Sequence, residues 1–222
     1  MSRSSRAPDP IAAIVTSYSD IITRAYSRVR FVILRQNFLE EVGQYLPRSG
    51  RVLDIGCGFG LFSLYFATTR PDLQILGVDQ DARRIDLARG SASKLGLENV
   101  DYRVADARTL PSEDSYDAIY MLDLLHHLPR GDVPRFLAEV RSRLRDGGVL
   151  VVKDVEDRPA WKRWFTLALD RLMVGWEPIH YWSASEMTRM LEELGFTVRK
   201  HRLKDFLPYP HVLYVGQDDA SG

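Results

Sequence analysis

The chain has 222 residues, with 30 basic and 30 acidic side chains, so its formal charge is zero at neutral pH. That length fits one domain with a sizeable core, and the charge balance lacks the basic footprint of a nucleic-acid binder. The single cysteine, Cys57, excludes an intrachain disulfide and fits a reducing, cytoplasmic setting, and no stretch reaches the roughly 20 apolar residues of a membrane span.

The first ten residues are polar and are expected to be a disordered tip. Residues 11–46 read as one or two helices, ended by Pro47 and Gly50. A first strand at 51–55 leads through glycines to a helix at about 60–69, which Arg70 and Pro71 stop. A second strand follows at 74–78. Asp81 is placed to cap a helix over 82–95 that Gly96 closes. Residues 100–104 alternate as a third strand, and 116–121 form an apolar fourth. Asp132 opens a helix expected over 133–145, and Gly147 and Gly148 separate it from a fifth strand at 149–153. These βα units in series imply a parallel sheet wrapped by helices.

The end of the chain is different. All four tryptophans lie between 161 and 182, and residues 161–173 carry apolar side chains at helical spacing. This stretch reads either as a core helix or as a lid over an apolar pocket; a basic amphipathic helix with Trp can also rest on a membrane surface. Ser183 and Glu186 form a capping box for a helix to Leu194, ended by Gly195. Two strands, 196–203 and 211–215, then follow with no helix between them. They predict an antiparallel hairpin at a sheet edge, with His201 facing solvent and a polar tail over 217–222.

The most informative stretch is Val52-Leu53-Asp54-Ile55-Gly56-Cys57-Gly58-Phe59-Gly60. A buried strand ends in a carboxylate, three glycines alternate, and a helix begins. Glycine lets a ligand lie directly on the backbone, and strand, turn and helix together hold nucleotide-like ligands at the carboxyl edge of an open sheet. The dinucleotide fingerprint needs G-x-G-x-x-G, whereas this spacing is G-x-G-x-G, which argues against a nicotinamide dehydrogenase. Asp79 ends the second strand, where a carboxylate can accept from both ribose hydroxyls; Gln80 is its neighbour. Asp106 follows the third strand. His126 and His127 stand beyond the fourth, and a helical turn there makes their rings diverge by about 100°.

Taken in order, these stretches resemble class I S-adenosylmethionine (SAM) dependent methyltransferases of small molecules. The resemblance covers about 51–153 strongly and the terminal hairpin more loosely. It implies a doubly wound, mostly parallel seven-stranded α/β sheet with an antiparallel C-terminal edge hairpin. Residues 1–50 become an N-terminal helical extension, and 51–222 a SAM-binding domain with an insertion at about 157–182. It implies SAM as cofactor and S-adenosylhomocysteine (SAH) as product. The cofactor-binding set becomes Asp54, Gly56, Cys57, Gly58, Gly60, Asp79, Gln80, Asp106, Ala107 and Leu122. Within it, Asp54 serves the turn and the methionine ammonium, Asp79 the ribose, Asp106 the adenine amine and Ala107 a ring nitrogen.

The acceptor is expected to be a small, partly apolar or lipid-like molecule. O-methylation is the first reading, with His126, His127, His180 or Tyr181 as acid–base groups. C-methylation of an activated aromatic or enol carbon is the second, and a non-catalytic SAM-binding partner subunit is the competing class. No nucleic-acid acceptor is expected, because Leu122-Asp123-Leu124-Leu125 stands where a planar amino group would need a Pro-Pro motif. No metal site is expected either: no cluster shows ligand spacing. Peripheral contact with a membrane stays open.

Overall fold

The fold is that of a computed structural model, which describes residues 9–34, 36–106, 108, 115–155, 180–202 and 211–218. The N-terminal region forms three helices: α1 (Pro10–Ser17), α2 (Ile21–Ile33) and α3 (Gln36–Tyr45). The additional break has a local cause. Tyr18 is extended, and the Asp20 carboxylate accepts from the Thr23 amide at 2.8 Å, so a new helix starts there. β1 (Gly50–Ile55), α4 (Leu61–Thr69), β2 (Leu73–Asp79), α5 (Ala82–Leu95), β3 (Val100–Val104) and β4 (Tyr116–Leu122) follow close to expectation. Then come α6 (Val133–Arg141), β5 (Leu144–Val155), α7 (Ala184–Glu193), β6 (Phe196–Arg202) and β7 (His211–Asp218).

Two boundaries differ from the sequence reading. α6 stops at Arg141, and β5 pairs with β4 from Leu144 onward before a register shift between Tyr116 and Ala118. Gly147, at φ +73°, lies within that excursion. β7 runs on to Asp218, whose buried carboxylate pairs with Arg141 at 2.5 Å, so the start of the expected tail belongs to the sheet.

The seven strands lie in the order β3-β2-β1-β4-β5-β7-β6. β7 pairs antiparallel with both β5 and β6 and is the one strand running against the rest. The predicted sheet and hairpin are therefore present. β6 is the edge strand, but His201 on it is half-buried, its Nε2 sharing a 2.9 Å hydrogen bond with the Tyr45 hydroxyl. Strand alternation sends Val52 toward α1–α5 and Leu53 and Ile55 toward α6 and α7, giving a buried cluster on each face. Ile14, Tyr18, Phe31 and Leu39 of the N-terminal helices share one cluster with Val52, Leu64 and Tyr120. Among the described residues, no helix is long and apolar enough to cross a membrane. Of the predicted insertion, 157–179 lie outside the described residues. Its last residue, Trp182, is buried in the α6–α7 cluster with Arg130 stacked 4.2 Å above its ring.

Candidate functional site

Strand order reverses between β1 and β4, and the crevice beyond such a switch point is where open α/β sheets take ligands. The glycine turn stands on one side of it. Gly56, Gly58 and Gly60 all have positive φ, at 72°, 55° and 77°, and they do three different things. A Cβ on Gly56 would come within 3.0 Å of Leu124, and one on Gly60 within 2.6 Å of the Tyr102 hydroxyl, whereas one on Gly58 would enter open space. Gly58 therefore presents bare backbone to the crevice. Cys57 between them is buried, and burial pushes its thiol well up, which suits a packed small residue and not a nucleophile.

Two carboxylates hold this turn. Asp79 accepts from the Gly58 amide through Oδ2 and from the Asp81 amide through Oδ1, both at 2.9 Å. Each oxygen keeps a lone pair for a further donor. Asp81 is a helix cap, accepting from Arg83 and Arg84 amides at 2.9 and 3.2 Å. Asp54 lies beneath the turn, buried, with Oδ2 lacking any hydrogen-bond partner. Burial raises its carboxyl to about 7, the Tyr120 and Ser63 hydroxyls work against that rise, and Asp79 adds to it. A buried acid with one unsatisfied oxygen beneath the turn fits a ligand ammonium or bridging water. Sequence reasoning missed Tyr102: its hydroxyl meets Ser63 Oγ at 3.0 Å, and its ring leaves no space for a side chain at Gly77.

Gln80 is exposed beside Asp79, and Leu122 is buried at the end of β4. Asp106 engages Arg108 through both oxygens, at 3.0 Å from Nε and 2.5 Å from Nη2, and Arg108 holds it below the usual carboxylate range. Ala107 lies outside the described residues.

Across the crevice, the ends of β4 and β5 bring together charges that lie far apart in sequence. Asp123 has φ +61°, a strained conformation for a non-glycine residue and a common mark of functional sites. Its carboxylate pairs with the fully buried Lys153 ammonium at 2.5 Å and with Arg30, which reaches in from α2. The following turn, Leu125–His127, carries the two histidines. His126 is buried; Asp154 Oδ1 stands 2.5 Å from its Nδ1, and Oδ2 accepts its backbone amide at 3.1 Å. The two imidazole rings do not diverge as expected but pack 4.1 Å apart at 46°, because Asp154 holds the first and the second folds against it. Burial, with His126 beside it, lowers His127 to about 4. His180 donates its amide to the His126 carbonyl at 2.8 Å, and this places the half-buried Tyr181 next along the chain; its carbonyl accepts from Arg130 at 2.7 Å.

The expectation that no metal-ligand cluster exists is corrected. Among the described residues Asp123, His126 and Asp154 have ligand atoms within 4.8 Å of one another. Sequence spacing hid the set because Asp154 comes from another strand. Lys153 and Arg30 already supply two positive charges there, and Asp154 is spent on His126, so the donors present do not favour a further dication.

The family described as "Methyltransferase domain" matches residues 26–201. A ubiquinone biosynthesis O-methyltransferase of Paramagnetospirillum magneticum is 30% identical over 187 residues, covering 79% of this chain and 72% of that protein. A fatty-acid O-methyltransferase of Mycolicibacterium smegmatis is 37% identical over 159 residues, covering 70% and 53%. The chain spans just over half the length of several other curated relatives it matches. Among solved structures, magnesium protoporphyrin IX methyltransferase from Synechocystis PCC 6803 with bound SAH superposes with a TM-score of 0.67 at 16% identity, covering 93% of this chain and 92% of that one.

Proposed function

We propose that this chain, which belongs to the SAM-dependent methyltransferase family, methylates a hydroxyl or carboxyl oxygen on a small, partly apolar molecule. The observation that carries the reading is Asp154 at 2.5 Å from His126 Nδ1, with its other oxygen on the same residue's amide. A carboxylate in that place accepts a hydrogen bond from Nδ1–H and so fixes the tautomer that has its lone pair on Nε2, which can receive the proton of a hydroxyl acceptor while the ionised Asp154 stabilises the imidazolium that forms. SAM, when bound, supplies an electrophilic methyl group on sulfur. The chain's own work is positioning: Gly56, Gly58 and Gly60 offer backbone, Asp54 an acid for the ammonium, Asp79 lone pairs for the ribose, and Asp106 an acceptor for the adenine amine. Lys153 and Arg30 keep Asp123 in place between the two halves. His127, neutral at physiological pH, adds no positive charge. We read the setting as reducing and cytoplasmic, in keeping with the one buried thiol.

The named acceptors of the relatives support oxygen and an apolar body. The test is methyl-labelled SAM with long-chain phenols, long-chain carboxylic acids, amines and electron-rich aromatic carbons. Label is expected on oxygen of an apolar acceptor. Label confined to nitrogen or carbon overturns the reading.

Cofactor affinity is expected to depend on pH through Asp54. Its carboxyl sits at about 7 in the free protein. An ammonium binds the ionised form, so below that value a proton must leave first. Affinity is then expected to be full above neutrality and to fall as the pH drops through about 7, by up to about tenfold per unit. Calorimetry across this range tests it, with Asp54→Asn removing the slope; a flat wild-type profile rules out the ammonium assignment.

A further inference from the structure

Among the described residues, five large apolar side chains are strongly exposed, and four of them lie on one helix: Ile21 at 81%, Ile22 at 72%, Val29 at 51% and Val32 at 71%. At about 100° per residue, these four and exposed Ala25 fall within one arc of about 100° on α2. The opposite face is already used. Thr23, Ser27 and Phe31 are buried there, and Arg30 reaches Asp123. The apolar arc is therefore not the core-facing side of the helix. Scattered exposed aliphatic residues need no explanation, but a continuous stripe does.

Charge indicates what the stripe meets. α2 carries Arg24, Arg28 and Arg30 and no acidic residue. Arg24 and Arg28 are exposed along one flank of the stripe, and the charge of exposed Arg83 adds to the Thr23 hydrogen bonds in holding the carboxyl of Asp20, the helix cap, below its usual range. The rest of the molecule balances this charge to zero, so the basic flank is a local feature. An aliphatic stripe edged by arginines is the pattern of a helix lying in the plane of a lipid interface, aliphatic side chains in the acyl boundary and guanidinium groups among phosphates.

We propose that the outer face of α2 docks this protein on an anionic lipid surface. α2 then has two working faces: one closes on Asp123 at the ends of β4 and β5, and the other rests on the membrane. That link to an apolar acceptor rests on the function proposed above; the docking itself does not.

The test is sedimentation of the full chain with vesicles of equal parts phosphatidylglycerol and phosphatidylcholine in low salt, a readout that needs no methyl transfer. The wild type is expected to sediment with these vesicles and to be released by high salt. The combined Ile22→Gln, Val29→Gln, Val32→Gln variant is expected to lose at least about tenfold in partition, and Arg28→Gln about fivefold, on anionic vesicles only. Unchanged thermal unfolding of these surface variants shows that the loss is not one of folding. A wild type that stays in solution overturns the proposal, as does undiminished binding of the triple variant. So does a wild-type dimer that the triple variant converts to monomer, which would give the stripe to a second copy of the chain.

Discussion

Replacing His126 with Ala is expected to lower kcat for a hydroxyl acceptor by about 10²–10⁴-fold, the usual contribution of a positioned general base, while SAM affinity stays within about twofold. The separation follows from the layout: the histidine stands in the turn beyond β4, and the residues assigned to the cofactor, Leu122 at the end of β4 excepted, surround the ends of β1, β2 and β3. Because His126 and Asp154 are both buried, removing one takes a short hydrogen bond from the other, at a cost of about 1–3 kcal/mol. Thermal unfolding must therefore be compared first. Asp154→Asn gives the more discriminating result. It keeps the shape but offers Nδ1 a donor, which moves the imidazole proton to Nε2 and removes the lone pair that acts as base. A fall in kcat with little change in KM, together with loss of the acidic limb of the pH–rate profile, is expected. A kcat that survives both substitutions makes the pair structural.

Gly58→Val is expected to abolish SAM binding without unfolding the chain. A Cβ there meets no protein atom within 4 Å, so the core has no reason to object, although φ of +55° strains any side chain. The added bulk enters the space the cofactor must use. Asp79→Ala should weaken SAM by at least about tenfold, since one hydrogen bond to a charged group contributes about 1.5–3 kcal/mol and this carboxylate also holds the Gly58 amide. Asp81→Asn is the control: its oxygens cap α5, and Asn caps equally well. Isothermal calorimetry with SAM and SAH reads all three. Equal damage from Asp81→Asn and Asp79→Ala would mean that the ribose carboxylate has been misassigned.

Local chemistry determined most of the fold. Apolar runs, glycine turns and helix caps are short-range signals, so β1 to β4, the Asp81 cap and the Ser183–Glu186 capping box appear where their residues predict. The glycine turn after β1 and the acid at the end of β2 were legible for the same reason, as a strand end followed by a turn, although the bond from the Gly58 amide to Asp79 joins residues 21 apart. Even the terminal hairpin could be inferred, because two strands without a helix between them cannot make a parallel crossover.

Tertiary structure alone decided the charged cluster at the ends of β4 and β5. His126 gains its partner from Asp154, 28 residues away on the adjacent strand, and Asp123 is held by Lys153 and by Arg30, 93 residues earlier. No periodicity marks such pairs, because their geometry is set by the β4–β5 register and by the docking of α2 on α4, where Phe31 meets Phe62 edge-on. The N-terminal helices thus supply a charge to the centre of the molecule. A lysine and two acids at neighbouring strand ends look in sequence like ordinary polar strand termini; burial together, where an unpaired charge is costly, makes them one network.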